Sequence, residues 1–567
     1  MSADINKSKS CPCPIAPLPL ENVVTRSAAT ISLWLGGTII LSLIFRLGYL
    51  FEITANPLVI LANTNDVFDQ SRFMNLAKGF LQGNWLGTDT AWFSPSYSYF
   101  IAVILKYFGN NFYFVFWAQT LMGLASIVIV YKTAALLFKN DDIGLLTAGL
   151  FAFYGPFVFY ECKLLRDSPI TYLNLAGFYF LLCAFRYSKK RFYIFSAIAL
   201  GGSALLRPQI LPLFVIIYIL AANTTALKQR IKYALLFSLT LIIAISPLPI
   251  RNKMAGNNVL LSSQGSSVFW IGNTFDASGI GLYRSPLREK LANEAAGNFI
   301  KTVKIFIREV NAHPNSYKKI YLQKIKMFLN GYEIPSNLSF DHFRESSFFL
   351  KLFALDFTFI SPLALLGMIL CRRKYPNSGL AYLFLGVMSL SVIIMHILGR
   401  YRLPATPFFI IFASYALYWL IQMLKEHRLL PLSYALSALF IFSLYTMPDQ
   451  LIMKKYFGDR IRPSDYFNSA YAHYLLYRSK EKYLSNDEKK LLLIRITDDL
   501  EKSLIRIPPK AREFKTSVLV SLASTYAHQG QMRKAKEVLH QSLRLSPGNP
   551  NLMDAIDKSG LRYLMDQ

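Results

Sequence analysis

Apolar residues run in long stretches along this chain, separated by short polar turns. At about 20 residues per membrane crossing, spans are predicted at 28–51, 112–137, 143–160 and 169–185. Residues 192–222 are too long for one crossing and are interrupted at Arg207-Pro208, which predicts two short helices meeting at that arginine. Further spans follow at 233–250, 349–370, 380–398, 404–424 and 430–445, about eleven in all. The expected fold class is therefore all-α, a polytopic membrane helical bundle. Residues 95–109 are apolar but short for a crossing; they read as an interfacial helix in the first outer loop, anchored by Tyr97, Tyr99 and Tyr107.

The turns orient the bundle. Lys139, the 189–191 cluster, Lys228 to Lys232, the 372–374 cluster and Lys425 with Arg428 all fall on the side of the amino terminus. The positive-inside rule makes that side cytoplasmic, including the tail 1–27. The first loop (54–111), the Glu161 to Asp167 turn, the Arg207 turn, the large loop (251–347), the Arg400 turn and residues 448–567 then face the periplasm of a bacterial inner membrane. No cleavable signal is expected, since the first apolar stretch is too long for one. Past Pro448 the chain turns charged and helical. Leu522, Ala523, Tyr526, Gly530, Ala535, Leu539 and Pro547 match the spacing of one tetratricopeptide unit, with 464–507 as a degenerate partner. Such a tail is expected to bind a protein partner or to organise the acceptor.

Composition agrees with the pattern. Hydrophobic residues make up 53% and charged residues only 17%, below the roughly 25% of soluble domains. The formal charge of +28 does not point to nucleic acid, because no basic helix with interleaved aromatics is present; it suits topology and an anionic lipid surface. The five cysteines are scattered, and His313, His342 and His396 are isolated. No dedicated metal site is expected, although a divalent ion bridging carboxylates and phosphate stays open.

Charged residues gather in the outward turns: Asp66 and Asp69; Glu161, Lys163, Arg166 and Asp167; Arg207; and Arg400 with Arg402. Arginine forks suit phosphate oxygens, and a carboxylate near them can take a proton from an attacking hydroxyl. Each arginine alone has the plainer role of snorkelling to headgroups. Asp69 reads best as the cap of a helix starting near Arg72, and Asp167 equally as a helix start or a catalytic group.

The order WFSPSYSYF, YGPFVFYECKLLRDS, ALLRPQ, SSQGSSVFWIGNTFDASGIGLY, FLNGYEIPSN and GRYRLPATP, behind an acidic first loop, resembles the GT-C superfamily of integral-membrane glycosyltransferases over about 28–447. Within it, the chain is similar to the group of protein O-mannosyltransferases and lipid A aminoarabinose transferases. The resemblance implies inverting transfer of a sugar from a polyprenyl-phosphate donor to a periplasmic lipid, polysaccharide or protein. It implies Asp66 as catalytic carboxylate, Glu161 or Asp167 as a second acid, and Lys163, Arg207, Arg400 and Arg402 at the donor phosphate. The large loop, with Trp270, Asn273, Asp276, Tyr332 and Glu333, is expected to cover the site and select the acceptor. The paired acid directly after the first Asp of the mannosyltransferases is absent, as is the Lys before the interfacial Pro segment of the aminoarabinose transferases. The alternatives are an O-antigen ligase-like or polymerase-like enzyme using a diphosphate-linked glycan, and a transporter or scaffold with a recruiting tail.

Overall fold

The computed structural model describes residues 25–87, 94–222, 226–256, 259–261, 264–281, 285–372, 375, 378–449, 453 and 456–565. Cys11, Cys13 and Trp92 lie outside the described residues, as do Arg373 and Lys374. The described residues form helices and turns with only two isolated β-bridges.

Six helical stretches are long and apolar enough to cross a membrane: Ala28–Thr54, Tyr113–Phe138, Asp167–Tyr187, Leu227–Met254, Gly399–Lys425 and Leu429–Thr446. Three shorter apolar helices, Leu211–Ala221, Phe357–Cys371 and Ser378–Ile394, stand among them. Lys190–Leu206 and the paired helices Asp141–Ala152 and Gly155–Glu161 occupy the other segments read as spans from the sequence. The pair breaks at Phe153-Tyr154, where Pro156 opens the second helix and the Gly155 amide donates to the Leu355 carbonyl. Arg207 takes an extended backbone between Lys190–Leu206 and Leu211–Ala221, as a residue before proline should. Where Phe357–Cys371 meets Thr406–Lys425, Gly367 lets the backbone of Phe412 approach directly, and any side chain there would collide.

One end of the bundle joins the amino-terminal side to the Lys139 turn, since Arg26 pairs with Asp142 at 2.7 Å. At the other end, the helices Pro57–Thr64, Asp69–Leu81 and Ser96–Phe108 lead from the first span to the second. The last of these is held by packing more than by lipid: Tyr97 is fully buried and donates to Gln119 at 3.0 Å, and Tyr99 stacks on Phe80 at 4.1 Å. Only Tyr107 of the three expected anchors is widely exposed. Short helices from Gly265–Phe269 to Phe348–Leu352 fill the region between the Leu227–Met254 and Phe357–Cys371 segments. Trp270, Leu291, Ala295 and Ile305 form a small core of their own there.

The helices Pro463–Lys480, Asn486–Arg506, Arg512–His528, Met532–Leu545 and Pro550–Lys558 share a separate apolar core. Leu522, Ala523, Tyr526, Ala535 and Leu539 are all buried in it, and Gly530 makes the intervening turn in the left-handed region at φ 74°.

Candidate functional site

A cavity of about 270 Å³ sits where one end of the helices meets the large loop. Asp69 and Phe73 enter it from the Asp69–Leu81 helix. Leu165, Arg166 and Asp167 come from the turn into the Asp167–Tyr187 helix, and Arg207 from the broken pair. Gln264, Val268, Ile271, Gly281, Ser336 and Asn337 come from the large loop, and His396, Leu398, Arg400 and Tyr401 from the entry to the Gly399–Lys425 segment.

The charges interlock. Arg400 donates to Asp69 at 2.8 Å, and Arg207 donates to Asp167 at 2.5 Å with its guanidinium 4.5 Å from the Tyr401 ring centroid. Arg166 donates to the Leu206 carbonyl at 3.0 Å. Three guanidiniums thus face two carboxylates, a balance that favours an anion. Arg400 Nε and Asp167 Oδ2 are buried and find no hydrogen-bond partner among the described residues. Polar atoms in that condition are what a bound polar ligand satisfies.

Burial pushes the Asp69 carboxyl up, but the Arg400 guanidinium, with Arg166 and Asn337, outweighs it and leaves Asp69 below the usual carboxylate range. Burial and the neighbouring Arg207 lower Arg166 to about 10, so it stays a cation at neutral pH. Burial, with Lys324, Arg400 and Arg207 adding to it, takes His396 down to about 3; its imidazole is neutral at physiological pH. Among the described residues, no three His, Cys, Asp or Glu side chains stand together as a metal-binding group.

Asp167 starts its helix as read from the sequence, whereas the cap read for Asp69 is not used. Phe68 precedes the Asp69–Leu81 helix without a side-chain cap, and Asp69 is its first residue, turned to Arg400. Arg166 likewise precedes Asp167 without a cap, and Asp167 turns to Arg207. Each carboxylate still lies in a first helical turn, where the helix dipole favours its charge.

Of the residues named from the sequence, Asp69, Arg166, Asp167, Arg207, His396 and Arg400 line the cavity, and Asp66, Glu161, Lys163, Arg402, Trp270, Asn273, Tyr332 and Glu333 lie outside its lining. Asp66 is exposed and accepts from Asn75 Nδ2 at 2.8 Å. Glu161 is fully buried in the bundle, paired with Arg46 at 2.9 Å and contacted by the Tyr172 hydroxyl. Removing one member of such a pair leaves an uncompensated charge. Arg46→Ala is therefore expected to destabilise the protein by about 3–5 kcal/mol, measured as a fall in thermal unfolding temperature in detergent, and the uncharged pair Arg46→Met with Glu161→Gln is expected to recover most of the loss.

Lys163 is buried over the rings of Phe343 and Phe159, at 3.8 and 4.7 Å from their centroids, and its ammonium has no hydrogen-bond partner among the described residues. Burial pushes it down to about 7. Arg402 donates to the carbonyls of Phe328 and Asn330 at 3.0 and 2.5 Å and to Glu333 at 2.7 Å. Tyr154 reaches the same Glu333 oxygen at 3.2 Å. This cluster ties the 328–333 segment to the bundle. Asn273 donates to the carbonyls of Phe269 and Ile394 and accepts from Tyr321 and Lys324. Trp270 is fully buried in the small loop core, and Tyr332 donates to the Arg460 carbonyl at 2.7 Å.

Sequence reasoning grouped Asp69 with the outward charges but preferred a cap role for it, and did not place His396 and Asn337 at a site. The buried face Phe73, Ala77 and Phe80 continues back at helical spacing to both Asp69 and Asp66; the helix begins at Asp69, which puts Asp69 on that face and leaves Asp66 outside the helix.

Residues 93–250 match the profile of the dolichyl-phosphate-mannose-protein mannosyltransferase family. The matched segment contains Arg166, Asp167 and Arg207 and stops short of Asp69 and Arg400. No curated protein matches the chain.

Proposed function

We propose that this chain, a membrane glycosyltransferase of the GT-C type, moves one sugar from a polyprenyl-phosphate carrier to a hydroxyl of a lipid, polysaccharide or protein acceptor. The observation that carries the reading is the cavity in which Arg166, Arg207 and Arg400 face Asp69 and Asp167 at one end of an apolar bundle. An anionic headgroup suits the excess of guanidinium, and the lipid tail of such a donor suits the apolar helices beside it.

In the proposed step the acceptor oxygen attacks the anomeric carbon from the side opposite the phosphate. The bond from that carbon to the phosphate oxygen breaks and its electrons stay on the departing polyprenyl phosphate. The arginines stabilise that developing charge. The acceptor proton passes to Asp69, which its low-lying carboxyl keeps ionised at neutral pH. Asp167 orients Arg207 from its buried side. Because the carboxylate is the working form, activity falls as pH drops through the Asp69 carboxyl range and is retained above it.

The clustering of basic turns on the side of Arg26 and Lys139 supports a cytoplasmic amino terminus, and hence a periplasmic cavity in a bacterial inner membrane. The carboxyl-terminal helices lie on the cavity side in this reading, with 516–547 as a tetratricopeptide-like unit.

The test is reconstituted protein supplied with a labelled pool of polyprenyl-phosphate sugars and an envelope extract. Free polyprenyl phosphate is expected in equal amount to transferred sugar, with the anomeric configuration inverted. Retained configuration would rule out the single displacement, and absence of turnover across the pool would rule out the donor class.

A further inference from the structure

The carboxyl-terminal helices do not hang from the last span as a tethered module. The chain leaves that span through Thr446 and Met447, whose carbonyls accept from Gly331 N–H and Asn330 Nδ2, both at 2.7 Å. It then returns to the large loop. Arg460 donates to Asp341 at 3.0 Å, and the Tyr466 hydroxyl donates to Glu345 at 2.6 Å. The Pro463–Lys480 helix packs against Pro57–Thr64, the helix that leads directly to Asp69.

Arg462 is the centre of this junction. Two of its nitrogens are held by Asp465, at 3.0 and 2.6 Å, which fixes the guanidinium plane. A third, Nη1, donates to the Ser336 carbonyl at 3.0 Å. Ser336 and Asn337 both line the cavity. Asn337 Nδ2 donates to Gln70, the residue next to Asp69, at 2.9 Å, and Asn337 helps to hold the Asp69 carboxyl low. A path of single contacts therefore runs from the first carboxyl-terminal helix to the carboxylate facing Arg400. The guanidinium at its origin is buried and held on both sides.

We infer that the carboxyl-terminal helices are a fixed part of the transferase site, with Arg462 a positioning residue that holds Asp69 in place through the Ser336–Asn337 strap. The inference deepens the glycosyl-transfer reading, on which it rests for the role of Asp69. It assigns the tail a task within catalysis that is separate from recruiting a partner.

The test uses full-length protein and four variants. Arg462→Lys keeps a cation for Asp465 but cannot also reach the Ser336 carbonyl with a planar fork. Asn337→Ala breaks the path one link nearer to Asp69. The third variant combines the two, and Arg533→Ala, on the exposed far hairpin, is the control. Hydrogen exchange read by mass spectrometry is expected to rise in residues 333–340 and 66–75 for Arg462→Lys and to stay unchanged there for the control. In turnover, Arg462→Lys is expected to lower kcat by about 10-fold to 100-fold, the range for a misplaced catalytic group, with donor KM within about twofold. The acid limb of the kcat profile should move to higher pH, because Asp69 loses part of the surroundings that favour its charged form. Asn337→Ala should reproduce the same shift, and the double variant should be no worse than either single, as expected of residues acting in series. Loss of folded enzyme alone would lower kcat at every pH without moving the limb, and that result would overturn the inference, as would unchanged exchange at 66–75. Should wild type fail to turn over any donor, the transferase reading falls, while the exchange arm still decides whether Arg462 holds the Asp69 segment.

Discussion

Asp69→Asn is expected to lower donor turnover by about 100-fold or more, the range for removing a general base, while Asp66→Asn stays within about threefold of wild type, as for a residue acting only on local structure. The two carboxylates are three residues apart, yet one faces a guanidinium inside the cavity and the other faces Asn75 at the surface. Asparagine keeps the shape of Asp69 and still accepts from Arg400, so folding should survive the change. The charge that receives the proton does not. The measurement is release of polyprenyl phosphate by folded, matched preparations across pH. Wild type should lose activity only as pH falls through the lowered carboxyl range of Asp69, and the Asn variant should show no such limb. Equal loss in both variants would place the base elsewhere in the first loop.

Arg400→Gln carries the second large effect. Removing one donor to a developing negative charge typically costs about 100-fold to 1,000-fold in kcat. Here the change also strips Asp69 of its ion pair. Burial then acts on that carboxyl with less opposition, so whatever activity remains should show an acid limb at higher pH. Arg400→Lys keeps the charge but not the bidentate fork, and should fall between the two. Arg402, two residues on, gives the internal contrast. Its guanidinium is spent on the Phe328 and Asn330 carbonyls and on Glu333, so Arg402→Gln should reduce the folded fraction while the surviving enzyme keeps the wild-type acid limb. A kinetic profile of Arg400→Gln that matches that of Arg402→Gln would remove Arg400 from the phosphate site.

These contrasts mark how far the sequence could be read. The crossing segments were legible because their length and apolarity are local properties, and the break at Arg207-Pro208 was legible because proline restricts its neighbour. The gathering of charge at one end followed from the alternation of turns. What local pattern could not supply was pairing across long separations. Glu161 looks like a polar turn residue beside Asp167, but its partner is Arg46, 115 positions earlier and inside the first span. An arginine in an apolar run needs a counter-charge, and that requirement was visible, although the identity of the counter-charge was not. Glu333 and Tyr332 read as loop groups over the site for the same reason: their partners, Arg402 and the Arg460 carbonyl, arrive from spans and tail far along the chain. Between Asp66 and Asp69 periodicity did not choose, since both continue the face of Phe73, Ala77 and Phe80; the helix start at Asp69 is what separates them. The resemblance to a known family drew attention to the first acidic residue after the span instead.

The most direct measurement of the central claim supplies one reconstituted protein with two labelled donors in parallel, a sugar on polyprenyl monophosphate and a glycan on polyprenyl diphosphate, with the same acceptor extract. The account predicts release of polyprenyl monophosphate from the first donor, dependent on Asp69 and Arg400, and negligible turnover of the second. Turnover of the diphosphate-linked glycan alone, indifferent to Asp69→Asn, would contradict it.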